Sequence, residues 1–407
     1  MRGPAAGLRA ADPTVRLLCV NQFGINLGFY MLMPYLLAYL TGDVGMAVGA
    51  AGFLLGVRNL CQQGLFLVGG TLADRLGHKP MIVAGCALRT AAFAALALPA
   101  NVPVLVAAMA ATGVAGALFN PAVRGYIAAR AGDDRVEAFA LFNVFYQAGL
   151  FAGPIVGVAL TAFDFRYACL AAAAVFAVLT VAQVRRLPAQ DTGPAGPATT
   201  VWADWRAVAA NRRFLAFSLA MAASYVLGFQ VYLALPWLVG GAPLAITALF
   251  AASALVTILG QARTTAWCKR RLGHRRAMPL GLAVMAAAFL PPLLLVHAGL
   301  GWRTAAAVLC AALLAAGTMI AYPFEMDTVS AMANGRTATY YGCYSTITGI
   351  AIAGGNLLIG AALDRTGGPL PWLALIAVGL AGAAAVRALT PEPRAPEPVP
   401  RVPAAVG

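Results

Sequence analysis

Five side chains carry charge where charge is hardest to keep: Arg58, Arg89, Arg263, Glu325 and Asp327 all lie inside long apolar runs. An ionised group in hydrocarbon costs several kcal/mol unless it is paired or wet, so such residues tend to mark pathways for ions or polar solutes. The chemistry open to them is exchange of a proton or attraction of a charged solute. Bond-making would need a nucleophile, a base or a metal set within reach, and His78, His274 and His297 lie in the gaps between runs or at the end of one. The seven cysteines are scattered, form no CxxC pair, and read as small buried apolar side chains. No GxxxxGK[ST] phosphate loop occurs. Neither an enzyme nor a metal or cofactor site is expected.

Of fourteen acids, only Glu325 and Asp327 fall in the interior of a run. They are the candidates for proton coupling; the plainer reading is a salt bridge to Arg124 or Arg336, the more so for Asp327. Arg58 lies ~18 Å along a helix from Gly70 at 1.5 Å per residue, near a membrane midplane. Gln62 follows it at i+4 on the same face. Arg58 either attracts an anionic or carbonyl-bearing substrate or serves as a structural donor between helices. Arg89 enters from the same side to ~14 Å depth, and neither arginine has an acid in its own run. Arg263, close to a run's end, is expected to snorkel to the interface.

The elements that position these residues follow from composition. The 407 residues would suit two soluble domains, but 61% hydrophobic and 10% charged residues suit a chain dissolved in lipid. Twelve runs reach the ~20 residues needed to cross the hydrocarbon core: 15–39, 47–71, 80–98, 102–129, 137–163, 166–187, 213–239, 244–268, 277–297, 302–331, 337–363 and 369–389. They lack the alternation of barrel strands, so each must be a helix that satisfies its own backbone. The first run, preceded by Arg2, Arg9 and Arg16 and followed by no cleavage site, reads as an uncleaved span.

The net charge of +14 raises the question of nucleic acid, but the basic residues sit in short gaps and form no aromatic-interleaved stripe, so no nucleic-acid partner is expected. With both termini cytoplasmic, the inner segments hold 22 Lys/Arg and the outer gaps only Arg166, Arg303 and Arg365, the positive-inside pattern. Arginine outnumbers lysine 26 to 2, a bias of GC-rich bacterial genomes, so a bacterial plasma membrane is expected. The Pro/Gly-rich segment 188–212 reads as a cytoplasmic linker with an interfacial piece at Trp202-Ala-Asp-Trp205. It separates bundle 1–187 from bundle 213–389, and the Pro-rich tail 390–407 reads as disordered. The expectation is an all-α polytopic membrane protein of twelve transmembrane helices in two pseudo-symmetric six-helix bundles.

Self-similarity supports the division. Arg75-Leu-Gly-His78 recurs as Arg271-Leu-Gly-His274, Leu27-Gly-Phe29 as Leu227-Gly-Phe229, Pro121 as Pro323 and Asp164 as Asp364. A duplicated 6+6 bundle places its site at the midplane between the halves. In the first of the repeated loops, Gly70 and Gly77 are expected to permit a tight reversal. Asp74 can accept from Arg75 or Lys79, or sit at a neighbouring helix N-terminus. Its place in the second loop is taken by Arg270, so only the first loop is expected to supply an acid. In the fifth run Gly149, Gly153 and Gly157 form one smooth face at i, i+4, i+8, and Pro154 should bend the helix against Leu150.

Gly70-x-Leu-Ala-Asp74-Arg75-x-Gly77-x-Lys79 resembles the loop signature of the major facilitator superfamily. Gly149-x-x-x-Gly153-Pro154-x-x-Gly157 resembles its second, antiporter-associated signature. Arg58-x-x-x-Gln62-Gln63-Gly64 and Asp164-Phe-Arg166 are similar to the twelve-helix, MdtH-like multidrug-efflux branch. The resemblance implies alternating access, with runs one, four, seven and ten lining the cavity and two, five, eight and eleven forming a sliding interface. It makes Gly70, Asp74, Arg75, Gly77 and Lys79 a conformational latch. The presumed cavity faces then offer Gln22, Asn26, Tyr30, Asn120, Tyr225, Phe229 and Tyr322, with Arg58 and Gln62. Aromatics and neutral amides make an adaptable pocket. Proton-coupled relatives commonly carry a carboxylate in runs one or four; here it is missing, which leaves Glu325 and Asp327. The leading expectation is a monomeric exporter of amphipathic, drug-like compounds by proton antiport, with substrate, protons and lipid as its partners. The rival is a uniporter or importer of a specific polar metabolite.

Overall fold

The structure, a computed structural model, describes residues 12–46, 48–98, 101–189, 200–240, 242–333, 335–366 and 368–389. Arg2, Arg9, the linker centre 190–199 and the tail 390–407 lie outside the described residues. The described chain is built from helices, with no strand among the described residues. The N-terminal half comprises α1 (Pro13–Gly42), α2 (Val48–Leu76), α3 (His78–Leu96), α4 (Val102–Ala131), α5 (Arg135–Thr161) and α6 (Phe165–Arg186). A short helix α7 (Val201–Ala210) precedes the C-terminal half: α8 (Arg212–Gly228), α9 (Ala234–Leu238), α10 (Pro243–Arg271), α11 (Gly273–Ala287), α12 (Leu290–Leu295), α13 (Leu300–Ala331), α14 (Thr337–Thr366) and α15 (Leu370–Leu389). Ten stretches of the described residues are long and apolar enough to cross a membrane, one of them the continuous α4–α5 stretch. Phe53, Val178, Leu259 and Leu357 stand exposed on the outside, where lipid rather than water would cover them.

Helix ends follow local chemistry. Asp12 Oδ1 accepts from Thr14 N at 2.7 Å with Pro13 as the first helical residue of α1. Asp164 caps α6 through Arg166 N at 2.8 Å, and Thr200 Oγ1 caps α7 through Ala203 N at 3.2 Å. Two expected continuous spans are interrupted, and prolines explain both. The seventh run is α8, a 3₁₀ turn Phe229–Tyr232 and α9, with Pro236 unable to donate back to Tyr232. The ninth is split into α11 and α12 ahead of Pro291 and Pro292. Pro154, by contrast, is carried inside a continuous α5, and its carbonyl accepts from Tyr35 Oη at 2.7 Å.

The two halves repeat one packing scheme. In the first, α2 and α3 pack on α4, α1 on α5, and α6 on α1 and α3. In the second, α10 and α11 pack on α13, α8 on α14, and α15 on α8 and α11. The halves meet mainly through α2 with α14 and α5 with α10.

The expected reversal at Gly70 is corrected by the structure. α2 continues through Gly70 to Leu76, and the turn is made by Gly77 alone, at φ +100°. Gly70 instead permits a close approach between the halves, since a Cβ there would strike the backbone carbonyl of Ala338 on the segment opening α14. The glycine face of α5 packs on α1 in the same half, with Gly149 on the Phe23 carbonyl, Gly153 on Tyr30 Cβ and Gly157 on the Met31 carbonyl. Gly153→Leu is expected to cut the yield of monodisperse protein in size-exclusion chromatography severalfold, because overpacking a closed contact costs ~1–3 kcal/mol or more. Gly56→Leu, where a Cβ meets nothing within 4 Å, should elute as wild type.

Candidate functional site

At the end of the bundle that carries the α2–α3 and α10–α11 turns, the basic end, the halves are tied by polar contacts. Asp74 points across to the N-terminus of α14. Its Oδ1 accepts from Ala338 N at 3.0 Å, and its Oδ2 from Thr339 N at 2.6 Å and Thr339 Oγ1 at 2.7 Å. Of the partners open to it in the sequence, Asp74 thus takes the helix terminus, where backbone N–H groups and the helix dipole favour an anion. His78 Nε2 stands 3.7 Å away. Arg75 is drawn instead to Asp204 on α7, with Nη2 at 2.6 Å, and Arg336 Nε approaches the same carboxylate at 2.8 Å. Trp205 Nε1 donates to Thr71 Oγ1 at 2.9 Å, so α7 is strapped across both halves. Lys79 Nζ donates to the Val184 carbonyl at 3.1 Å and stays within its own half.

The second seam, α5 against α10 and α13, corrects two expectations. The loop that lacks an acid still closes, with the charges reversed: Lys269 Nζ donates to Glu137 Oε1 in the first turn of α5 at 2.6 Å. Arg270, at the position matched to Asp74, turns back to the Ala266 carbonyl. Asp327 pairs neither with Arg124 nor with Arg336. It accepts from Arg135 Nε at 2.6 Å and lies 2.6 Å from His274 Nε2, because the open end of α5 and the α10–α11 turn stand at its level. Asn143 Nδ2 donates to Gln261 Oε1 at 2.9 Å deeper in the same seam.

Above this closed end lies a central cavity of about 180 Å³. It is lined by Tyr146, Gln147 and Leu150 of α5, Ser224, Tyr225 and Gly228 of α8, Phe229 and Tyr232 of the 3₁₀ turn, and Thr318, Ala321, Tyr322 and Glu325 of α13. A smaller adjoining space adds Val231, Phe250, Ser253, Leu314 and Ala315. Glu325, 2% exposed, forms part of the wall. Its Oε1 accepts from Tyr225 Oη at 2.9 Å and Tyr344 Oη at 2.5 Å. Arg124 faces the same carboxyl from α4, and its Nη1 donates to Ser345 Oγ at 2.9 Å. The two hydroxyls can donate to the carboxylate or accept from the neutral acid, whereas the nearby cation favours the charged form.

Of the cavity residues named from sequence, Tyr225, Phe229 and Tyr322 line this space together with Glu325. Tyr30 adjoins it, facing Tyr146 and Tyr232. Gln22 and Asn26 do not line it: both are buried, Gln22 Nε2 donates to Asn26 Oδ1 at 3.2 Å, and Asn26 Nδ2 donates to the Tyr146 carbonyl at 2.8 Å. Asn120 spends its amide on the Gly116 carbonyl at 2.8 Å. Arg58 and Gln62 bond to each other at 2.5 Å inside the N-terminal half. In each case an amide or guanidinium in an apolar bundle takes the first partner within reach. Tyr146, Gln147 and Ser224 were not expected from the sequence, although the polar pair Tyr146-Gln147 in an otherwise apolar run is a usable signal.

A family model of the Major Facilitator Superfamily matches residues 18–337. An uncharacterized MFS-type transporter of Mycobacterium tuberculosis (strain ATCC 25618 / H37Rv) is 48% identical, covering 95% of this chain and 96% of its own. Multidrug resistance protein MdtH of Klebsiella pneumoniae (strain 342) is 30% identical over 89% of this chain and 90% of its own. Among solved structures, the E. coli fucose:proton symporter FucP superposes with TM-score 0.74 at 14% identity, covering 93% of this chain and 98% of its own. FucP in the outward conformation gives TM-score 0.74 at 15% identity. At such identity these two share the fold with this chain and no more.

Proposed function

Because the chain belongs to the Major Facilitator Superfamily, we propose that it is a secondary active exporter of small amphipathic compounds, working by alternating access with proton antiport. One observation carries the reading: the wall of the central cavity holds a buried carboxyl, Glu325, between two tyrosine hydroxyls and opposite Arg124. In this reading Glu325 alone exchanges the proton. Asp327, engaged by Arg135 and His274, belongs with the ties that close the basic end. The cavity walls are aromatic and weakly polar, which suits solutes recognised by shape and apolar surface. The MdtH relatives are named as multidrug resistance proteins, which supports the same substrate class.

The basic end is assigned to the cytoplasm on the positive-inside rule. The protein then sits in a bacterial plasma membrane as a monomer with both termini cytoplasmic, its halves 1–187 and 213–389 joined by linker 188–212. The ties at Asp74, Asp204, Asp327 and Lys269 close the cytoplasmic side, so the cavity faces outward in this state. Export requires these ties to open and re-form in each cycle.

The test is transport of amphipathic dyes into everted vesicles carrying the protein, with and without an imposed proton gradient. Gradient-driven accumulation, abolished by a protonophore, is expected. Accumulation indifferent to the gradient would rule out antiport.

A further inference from the structure

One charged cluster, buried at Arg89 and half-buried at Arg58, has no part in the proton and latch cycle. Arg89 on α3 is 5% exposed, and its guanidinium carbon lies 5.5 Å from the ring centre of Phe29 and 5.4 Å from that of Phe176. Arg58 on α2 covers the same Phe29 ring at 4.6 Å, so two cations share one aromatic side chain. Arg58 donates to Gln62 Oε1 at 2.5 Å and to Asn59 Oδ1 at 2.7 Å. Nε of both arginines is buried without an acceptor. No ion pair to either arginine occurs among the described residues, and the ionisable groups facing them are Tyr30, Tyr146 and Cys86.

The packing makes room for this pair. Gly113 brings α4 against the Arg58 carbonyl, and a Cβ at Gly116 would collide with Gln62 and with Arg89 Nη2. A guanidinium does not shed its proton in a protein, so neither charge can be neutralised by titration. Cation–π contact recovers only part of what burying a charge in a membrane costs, and the two like charges also repel. What would balance the cluster is an anion. The Phe29 ring beneath Arg58 meets Tyr30 edge-on at 5.1 Å between centroids, and Tyr30 faces Tyr146 and Tyr232 of the cavity wall, so the cluster lies one aromatic layer behind the cavity.

We propose that Arg58, Arg89 and Gln62 form a subsite for the anionic group (carboxylate, sulfonate or phosphate) of an amphipathic solute that enters from the central cavity past Tyr30 and Tyr146. The planar guanidinium of Arg58 offers paired donors to such a group, while the apolar body of the solute rests on Phe229 and Tyr232. This deepens the export reading by naming the substrate's charge, and rests on it only for the direction of movement.

The experiment measures binding by fluorescence titration to the purified full-length protein in nanodiscs of zwitterionic lipid. The probes are 1-pyrenebutyrate, neutral 1-pyrenebutanol and a pyrenebutyl-trimethylammonium salt, which share an apolar body and differ in charge. Wild type is expected to bind the carboxylate at least tenfold more tightly than either other probe. Arg58→Gln and Arg89→Gln should each remove most of that preference, and Arg58→Lys should keep part of it. Equal affinity for all three probes, or variants that weaken all three alike, would overturn the subsite and leave the arginines a packing role. Competition by phosphatidylglycerol added to the disc would assign the site to a lipid headgroup and overturn the solute assignment. If Arg89→Gln does not fold, Arg58→Gln, nearer the cavity, carries the test. A preserved charge preference without gradient-driven export would refute the export reading and leave the subsite standing.

Discussion

Glu325→Gln is expected to abolish gradient-driven accumulation in everted vesicles, by more than tenfold, while solute exchange without a gradient continues. Glutamine fills the same volume and its single oxygen can still accept from Tyr225 or Tyr344, so the cavity wall at α13 should hold its shape. What the amide loses is the ability to alternate between a neutral and a charged form. A charge at this depth costs several kcal/mol when dry and far less when wet. Under the proposed antiport, protonation of the native carboxyl would follow whether the cavity is open or closed around it. Asp327→Asn serves as the contrast: it removes the charge that Arg135 and His274 engage and weakens both contacts, and should slow turnover while leaving the gradient dependence in place. Undiminished gradient-driven transport by Glu325→Gln would remove this residue as the proton carrier. Loss of gradient dependence in Asp327→Asn instead would move the role two residues along the helix.

What could be read from the chain and what could not divide along a physical line. Span-length apolar runs and the sequence repeats were enough to give the helices and the repeated packing, because lipid forces each run to satisfy its own backbone. The interruption at Phe229–Tyr232 was also legible in principle, since Pro236 removes the donor that the turn before it would need. Contacts between distant segments were not. Nothing local to Asp204 announces that Arg75 and Arg336 will meet on it, and nothing near Asp327 selects Arg135 over Arg124. Matching residue to residue made Arg270 the counterpart of Asp74 and suggested a one-sided latch. The structure closes the second seam one residue earlier, with Lys269 as cation and Glu137 as acid, a complementarity that a search for like residues cannot register. The cavity faces failed for a related reason. A helical wheel says which residues share a side, whereas Gln22, Asn26 and Asn120 are settled by the nearest free acceptor.

Asp74→Asn should produce a protein that folds, inserts and elutes as wild type yet transports at a small fraction of the wild-type rate. The carboxylate receives two backbone N–H groups and one hydroxyl from Ala338 and Thr339. An amide has one acceptor oxygen to offer and turns an NH₂ group toward donors, so at least one of these bonds is lost and the rest lose their charge assistance. Hydrogen bonds to a charged group contribute ~1.5–3 kcal/mol, and the helix N-terminus adds ~0.3–1 kcal/mol for an anion. A net loss of about 2 kcal/mol would shift the closed-to-open balance of the basic end about 30-fold. No core contact is removed, because the Asp74 carboxylate serves the seam between halves, while within the bundles α2 and α3 pack on α4, α1 on α5, and α10 and α11 on α13. Spin labels placed on the ends of α2 and α14 should therefore report longer separations in Asp74→Asn, while its thermal unfolding stays close to wild type. Asp204→Asn, which weakens the α7 strap to Arg75 and Arg336, should move the same distances in the same direction. Wild-type turnover in Asp74→Asn with unchanged distances would reduce this residue to part of a topological signal. Widened distances with wild-type turnover would show that opening of the basic end does not limit the cycle.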